Sequence, residues 1–300
     1  MRQFTLFALL GLIITFCSCR KTENIENIDH QNVVIDNNNP PAYAGVTTIQ
    51  VQAYINRAFI DLIGREPNQN ELNSYTQTLK DNNLDSASRA SMLSDIIGNS
   101  EYYDYFHKTN MQRFLGEYDS ARIEDDLDQM RTNEQNAQAS GNIPVAQYFG
   151  YEIYRLTQLK NSKVAYQNGG SINDYLSKFV NVQRFDDINM GSLNFVIACF
   201  EAYLKRLPTD YESDSGVDMC NGTSAYLFLE DGLSKGDFIR IMCNSDGFYE
   251  GLVLDIYLQM LARRPSSTEM AMHTLGLKNG QYNYQTLQRM VAVTDEYANF

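Results

Sequence analysis

The sequence contains few of the residues on which enzymes most often rely. Of its 300 residues, three are histidine, five are cysteine, six are proline and none is tryptophan. His30, His107 and His273 lie far apart along the chain. The chain contains no His-Glu-x-x-His zinc motif, phosphate-binding loop, dinucleotide fingerprint or Gly-x-Ser-x-Gly elbow. We therefore predict that the chain is not an enzyme, has no catalytic residue and uses no cofactor.

Positive charge and long hydrophobic runs are also scarce. The chain carries 24 basic and 37 acidic residues, for a formal net charge of −13. Such a chain would be repelled by phosphates, which argues against a nucleic-acid partner. One apolar run, residues 4–16, is shorter than the roughly 20 residues that a membrane-spanning helix needs. The sequence therefore predicts no transmembrane helix.

The N-terminus has the features of an export signal. Arg2 precedes the apolar run, and the run ends in Phe16-Cys17-Ser18-Cys19. A small residue before a cysteine resembles a bacterial lipoprotein signal, with Cys19 as the lipidated first residue of the mature chain. An ordinary secretory signal is the alternative. We predict a signal peptide at 1–18, a flexible polar tether at 19–45, and a lipid-anchored protein of the bacterial cell envelope, at the outer membrane.

The three cysteines beyond the signal do not form a disulfide framework. They are odd in number and irregularly spaced: Cys199, Cys220 and Cys243. Cys199 and Cys243 lie within apolar helical patterns, which favours a place in the core. One disulfide that involves Cys220 remains open.

One motif, Arg-x-Pro-(Asn/Thr/Ser)-x-x-Glu, occurs three times. It begins at Arg65, Arg206 and Arg263. Proline stops a helix, and the next residue is in each case one that caps helix N-termini. The glutamate three residues later completes a capping box. The predicted cap residues are Asn68 with Glu71, Thr209 with Glu212, and Ser266 with Glu269.

Two further features accompany each copy of the motif. An aromatic residue stands six positions before each arginine: Phe59, Phe200 and Tyr257. About 30 to 37 residues after each turn, Ser100, Ser245 and Thr294 precede an acid and an aromatic residue, which predicts another helix start. We expect the arginines to pair with carboxylates or to cap helix carbonyl groups, with anion binding as the alternative role.

These patterns predict an all-α fold, organised as an irregular array of helical repeats. Three units contain the Arg-x-Pro turn, and a fourth is degenerate. We place the first repeat at 46–115 and a connecting helix, loop and degenerate repeat at 116–193. The other two repeats are placed at 194–250 and 251–300.

A weak calcium site is predicted in the middle of the chain. Asp210, Asp214 and Asp218 alternate along a predicted loop that contains Gly216, and oxygen ligands at alternating positions suit calcium. An acidic surface loop is the alternative interpretation, since Glu212 is already assigned to a capping box.

In the first unit, a helix is followed by Gly64-Arg65-Glu66-Pro67, then by a second helix, and then by Leu93, Ile97 and Ser100-Glu101-Tyr102. This order of elements resembles a known repeat. It is the repeat of unknown function found in bacterial surface proteins related to phycobilisome linker domains. The segment 56–64 also resembles an uncharacterised planctomycete domain that occurs beside cytochrome-type haem modules. These resemblances imply helical scaffolding and membership of an envelope complex. The chain departs from both in lacking glycine before the second and third arginines, and it has no Cys-x-x-Cys-His haem site.

The sequence thus favours a non-enzymatic helical scaffold or interaction module with an envelope protein as partner. The alternative is an enzyme or accessory subunit of an envelope complex that processes carbohydrate or carries out redox chemistry. A cavity that joins His107 or His273 to several carboxylates would favour the alternative. A continuous apolar or aromatic groove would favour the scaffold.

Overall fold

The structure, a computed structural model, describes residues 43–300. The predicted signal peptide, the lipidation residue Cys19 and most of the predicted tether, with His30, lie outside the described residues. The described part folds as one compact body of fifteen α-helices and one short β-hairpin, so the predicted all-α class is confirmed. None of these fifteen helices has both the length and the apolar character that crossing a bilayer requires.

The helices are α1 (Thr48–Ile63), α2 (Gln69–Asp81), α3 (Ser86–Gly98), α4 (Ser100–Leu115), α5 (Ser120–Ala139), α6 (Ile143–Gln167), α7 (Ile172–Val180), α8 (Gln183–Ile188), α9 (Ser192–Cys199), α10 (Asp210–Cys220), α11 (Lys235–Asn244), α12 (Asp246–Leu261), α13 (Ser267–Lys278), α14 (Tyr284–Ala292) and α15 (Asp295–Ala298). A 3-10 turn, Tyr43–Gly45, precedes α1, and a π turn, Phe200–Leu204, extends α9. Antiparallel strands β1 (Ala225–Leu227) and β2 (Glu230–Gly232) form the hairpin, with Ala225 opposite Gly232.

All three Arg-x-Pro turns lead into a helix with the same N-terminal structure. The cap side chain accepts a hydrogen bond from the backbone N–H three residues later, and the glutamate at that position accepts one from the backbone N–H of the cap. This capping box is present at α2, α10 and α13, on Asn68 and Glu71, Thr209 and Glu212, and Ser266 and Glu269. Two orphan N–H groups per helix are thereby satisfied.

The residue before each motif arginine has a left-handed backbone. Gly64 has φ 73°, and Lys205 and Ala262 have φ 58° and 53° at the corresponding positions. The absence of glycine from the second and third turns therefore leaves the backbone conformation unchanged. It adds strain instead, because a left-handed conformation costs a residue with a Cβ about 1–2 kcal/mol.

Replacing Ala262 with glycine is expected to stabilise the protein by about 0.5–1 kcal/mol. The substitution removes the backbone strain, and the greater unfolded-state entropy of glycine offsets part of that gain. Ala262 is exposed, so little packing is lost. Urea unfolding followed by circular dichroism measures the change. The matched substitution Gly64→Ala should destabilise the protein, since a Cβ there would lie 2.3 Å from the Tyr105 ring. A loss of stability in Ala262→Gly would contradict the interpretation.

The last helices of the chain pack against the first one. The Tyr297 hydroxyl donates a hydrogen bond to Asp61 Oδ2 at 2.8 Å, and Arg57 Nη1 donates to the carbonyl oxygen of Tyr297 at 2.8 Å. The rings of Tyr54 and Phe300 meet edge to face at 5.5 Å. The described body is therefore closed between α1 and α15 and is not an open stack of helices.

Two predicted boundaries need correction. The predicted tether 19–45 ends too late, because the Tyr43 hydroxyl donates to Asp295 Oδ1 at 2.8 Å and the Tyr43 ring packs on Phe300. Buried Arg89 fixes this corner, as its guanidinium donates to both Asp295 and Tyr43. The helix start predicted at Ser100 lies one residue earlier, since Asn99 is the N-cap of α4.

Two predicted loops are also wrong. The connecting helix at the start of the predicted segment 116–193 was expected to continue into a loop, but α5 runs to Ala139 and turns directly into α6, with which it forms a helical hairpin. The predicted acidic loop that begins at Asp210 is helix α10. The β-hairpin between α10 and α11 was not predicted, because its strands are only three residues long and show no alternating apolar pattern.

Helix α6 carries a buried ion pair. Arg155 Nη2 donates to both carboxylate oxygens of Glu152 at 2.5 Å, and the two side chains are 5% and 4% exposed. Arg155 Nη1 also lies 3.7 Å from Asp186 and 3.5 Å from the Asn181 side-chain oxygen. Glu152 has no second partner among the residues that the structure describes, so its charge depends on Arg155 alone.

Candidate functional site

Each arginine of the repeated motif is enclosed by the same groups, which we call an arginine clasp. In the first clasp, Arg65 forms two hydrogen bonds to Glu71, at 2.8 and 2.9 Å, and donates to the carbonyl oxygen of Glu66. The guanidinium lies over the Phe59 ring, 5.3 Å from its centroid. The same contacts join Arg206 to Glu212, Leu207 and Phe200, and Arg263 to Glu269, Arg264 and Tyr257.

The clasp therefore explains the aromatic residue six positions before each arginine, since the ring supports the guanidinium by a cation–π contact. The hydrogen bonds from Arg206 lower the pKa of Glu212 to about 2. In the first and third clasps, the arginine also pairs with Glu101 and Glu296. Because these guanidinium groups are already paired with carboxylates, the clasps are structural and are not open anion sites.

The middle clasp lacks the second carboxylate. Glu101 and Glu296 are the second residues of α4 and α15, and the corresponding residue of α12 is Gly247. A Cβ at Gly247 would lie 3.1 Å from Leu204 Cγ, so the helices approach closely at this point. Among residues 43–300, Glu212 is consequently the only carboxylate that pairs with Arg206.

The two described histidines are packing residues. His107 lies against the rings of Tyr175 and Phe179, with Nδ1 3.2 Å from the Tyr175 hydroxyl. Burial lowers the pKa of His107 to about 4, so the imidazole is neutral at pH 7. His273 Nδ1 lies 2.9 Å from the Tyr282 hydroxyl, and burial lowers its pKa as well. Neither histidine lines the cavities described below.

The weak calcium site predicted at Asp210, Asp214 and Asp218 lacks the loop geometry on which the prediction was based. Asp210, Asp214 and Asp218 are spaced four residues apart along α10, so they do not alternate around a loop. Gly216 lies inside the same helix, packed against Phe238. Across residues 43–300, no three acidic, histidine or cysteine side chains are grouped as metal ligands would be.

The three described cysteines are free thiols. Cys199 and Cys243 are buried in the core, as predicted, and Cys220 is half-buried. Burial raises the pKa of the Cys220 thiol to about 11. The disulfide left open for Cys220 is not formed in this structure.

A central cavity of about 320 Å³ lies among α1, α4, α12 and α14. Its walls include the rings of Tyr102, Phe106 and Tyr284 and the amides of Asn110 and Gln288. The Tyr102 hydroxyl donates to Gln288 Oε1 at 2.7 Å. These groups suit hydrogen bonding and stacking, and none is a strong nucleophile.

Charged groups of the central cavity are held in an ion-pair network. Asp255 accepts a hydrogen bond from Arg113 at 3.0 Å and forms an ion pair with Lys205 at 2.8 Å. Both cations also donate to the carbonyl oxygen of Ala202 in the π turn, at 2.7 and 2.6 Å. The carboxylate of Asp255 thus helps to fix the π turn.

A second cavity, of about 550 Å³, has five tyrosines in its lining, and we call it the tyrosine cleft. Its tyrosines are Tyr103, Tyr166, Tyr249, Tyr282 and Tyr284. The chain between α6 and α7 and the chain between α13 and α14 supply much of the rest of its wall, together with adjoining helix residues. Among residues 43–300, no histidine or carboxylate lines it.

The β-hairpin presents large apolar side chains to solvent. We define the hairpin surface as Tyr211, Tyr226, Leu229 and Leu233, of which Leu229 is 85% exposed. The Tyr211 hydroxyl donates to the carbonyl oxygen of Tyr226, and the Tyr226 hydroxyl donates to that of Leu229, so these three residues are contiguous. Phe228 and Leu229 form the turn at φ 48° and 68°, where side chains are strained.

The sequence indicated the clasps but neither the tyrosine cleft nor the hairpin surface. The residues of a clasp lie within six positions of the arginine, apart from the second carboxylate. The cleft joins residues from Tyr103 to Gln285, and no spacing rule connects them. The hairpin surface had one available signal, namely apolar residues within an otherwise polar stretch.

No family model matches this sequence. Neither the curated proteins nor the solved structures gave a significant match. The function is therefore inferred from the site geometry.

Proposed function

We propose that this chain is a non-enzymatic interaction module of the bacterial cell envelope. A lipid on Cys19 anchors it to the membrane, which we expect to be the outer membrane. The helical body presents the hairpin surface to another envelope protein. The resemblance of the Arg-x-Pro segments to linker-type repeats supports a scaffolding role.

The hairpin surface is the observation that carries the proposal. Exposed tyrosine and leucine side chains grouped together, here on the hairpin and the adjoining helix α10, are typical of protein-binding surfaces, which are enriched in aromatic residues. The strained turn that presents Leu229 also costs stability, as strained backbone often does at binding sites. Binding of a partner would bury the apolar side chains, and the free energy gained would offset both their exposure to water and the strain of the turn.

The packing of reactive side chains supports a non-enzymatic role. His107 and His273 face tyrosines, and the clasp glutamates are engaged with arginines. The described thiols are buried or half-buried. These groups stabilise the body that carries the hairpin.

A photo-crosslinking experiment in cells tests the proposal. A photoreactive amino acid at Leu229 of the full chain should give one discrete adduct in the membrane fraction. The matched control is Leu275, which is 57% exposed but lies on α13. The adduct should disappear when Tyr226→Asp is added, because a charge would be buried in the interface.

The same cells test the anchor. Cys19→Ala should prevent lipidation and move most of the protein to the soluble fraction, since acyl chains contribute about 0.8 kcal/mol per buried CH₂. A variant that stays membrane-bound with unchanged processing would contradict the lipid anchor. Equal adducts from Leu229 and Leu275 would contradict the hairpin surface as the binding site.

A further inference from the structure

Three neighbouring tyrosine hydroxyls around the tyrosine cleft have no hydrogen-bond partner among residues 43–300. They belong to Tyr103, Tyr166 and Tyr284, and of these three only the Tyr166 hydroxyl is buried from solvent. Tyr166 is 4% exposed, and its hydroxyl is buried without a partner. Buried hydroxyls are nearly always hydrogen-bonded, and an unpaired one costs about 1–3 kcal/mol. The unpaired buried hydroxyl of Tyr166, beside two further phenols that have no protein partner, therefore points to a missing hydrogen-bonding ligand.

The rings that carry these hydroxyls are held rigidly. The Tyr103 ring meets the Tyr166 ring edge to face at 5.9 Å, and Tyr166 stacks on Tyr175 at 4.7 Å. Phe106 packs between Tyr166 and Tyr284, with ring centroids 5.8 and 5.5 Å away. The positions of the three hydroxyls are thus set before any ligand binds, which reduces the entropy cost of binding.

The remaining wall of the cleft combines polar side chains with Ile172 and Leu277, and among the described residues it carries no unpaired charge. The side-chain amides of Gln167 and Gln285 form no hydrogen bonds within the described part of the chain, so they are free to donate and accept. Asn173 donates to the Tyr249 hydroxyl at 2.8 Å, which leaves that hydroxyl able to donate. The single cation, Lys278, is paired with Asp246.

We propose that the tyrosine cleft is a binding site for a neutral oligosaccharide. A sugar ring offers an apolar C–H face for tyrosine rings and hydroxyls that both donate and accept, which matches phenols and amides together. The volume of about 550 Å³ lies within the range of small-ligand sites. This activity goes beyond the hairpin interaction and uses a different surface.

Other ligand classes fit the cleft less well. An anion would require an unpaired cation, and Lys278 is already neutralised by Asp246. A peptide that binds by strand addition needs a free sheet edge, and a helical one needs an apolar groove. The cleft is built from helices and two loops, and its rings are interleaved with amides.

Isothermal titration calorimetry of the full chain tests the proposal. The probes are cellotetraose, maltotetraose, mannotetraose and chitotetraose, with tetra-alanine as a peptide control. We expect at least one of the sugars to bind with a Kd below about 1 mM, a weak affinity on the usual scale. Tyr166→Phe should weaken that binding about tenfold, the equivalent of one hydrogen bond.

The same Tyr166→Phe variant should raise the Tm of the unliganded protein by about 2 °C, because it removes an unpaired buried hydroxyl. A purely structural role for the hydroxyl would not move affinity and stability in opposite directions. Tyr154→Phe is the matched control, since Tyr154 is 60% exposed on the same helix, α6, and forms no hydrogen bond within the described part. It should change neither quantity.

Failure of all four sugars to bind would overturn the proposal. Equal affinity in Tyr166→Phe and Tyr154→Phe would also overturn it, as would tighter binding of tetra-alanine. None of these results would alter the crosslink at Leu229, so failure of this proposal is distinguishable from failure of the interaction module.

Discussion

Replacing Gly251 with alanine is expected to destabilise the protein by at least about 3 kcal/mol, the upper part of the range for overpacked cores. Gly251 lies in buried helix α12 where it crosses the π turn, and an added Cβ would lie 1.8 Å from the carbonyl oxygen of Tyr203. A backbone oxygen cannot rotate away as a side chain can, so α12 or the π turn must move. Urea unfolding followed by circular dichroism measures the loss.

Gly236→Ala is the matched control for this substitution. Gly236 lies in α11, and a Cβ there would meet only the Ser234 Oγ, at 3.7 Å. Alanine should therefore stabilise this helix by up to about 1 kcal/mol. A cost below about 1 kcal/mol for Gly251→Ala would mean that the two elements separate easily, contrary to the close packing seen here.

The second large effect concerns the ion pair of α6. Arg155→Leu should cost about 3–5 kcal/mol, because the Glu152 carboxylate would remain buried without a partner. Glu152→Leu should cost less, since Arg155 keeps Asp186 and the Asn181 side chain within 3.7 Å. Chemical denaturation of both variants at pH 7 gives the comparison.

The double variant Glu152→Leu/Arg155→Leu separates the cost of an orphaned charge from the value of the pair. Two leucines of suitable volume often match or exceed the stability of a buried ion pair, so the double variant should be more stable than Arg155→Leu alone. If the double variant instead lost the sum of the two single effects, the residues would act independently and the ion-pair interpretation would be wrong.

Local features of the fold were predictable because their cause lies within a few residues. The Arg-x-Pro spacing predicted the helix stop, the N-cap at Asn68 and the return bond from Glu71, since all three depend on backbone positions inside one turn. Pairing of Arg65 with a carboxylate was likewise expected. The left-handed backbone at Lys205 and Ala262 was not, because it is imposed by the turn against the preference of the residue.

Long-range features were not predictable for the opposite reason. The contact between Asp61 and Tyr297 joins residues 236 positions apart, and an amphipathic pattern identifies a buried face without naming what covers it. The tyrosine cleft was not predictable for the same reason, because nothing in the sequence indicates which five of the twenty tyrosines line one cavity. The hairpin was not predicted because its two strands have only three residues each, which is too short to show an alternation of apolar and polar residues.

The contact between the first and last helices limits how this architecture can vary. An open solenoid can gain or lose a copy at either end, because each copy touches only its neighbours. Here α15 occupies the surface of α1 through Tyr297, and Arg89 ties α3 to Asp295. A further helical unit could not stack on this face of α1 without displacing α15 and losing those contacts, so the body cannot be extended there as an open solenoid can.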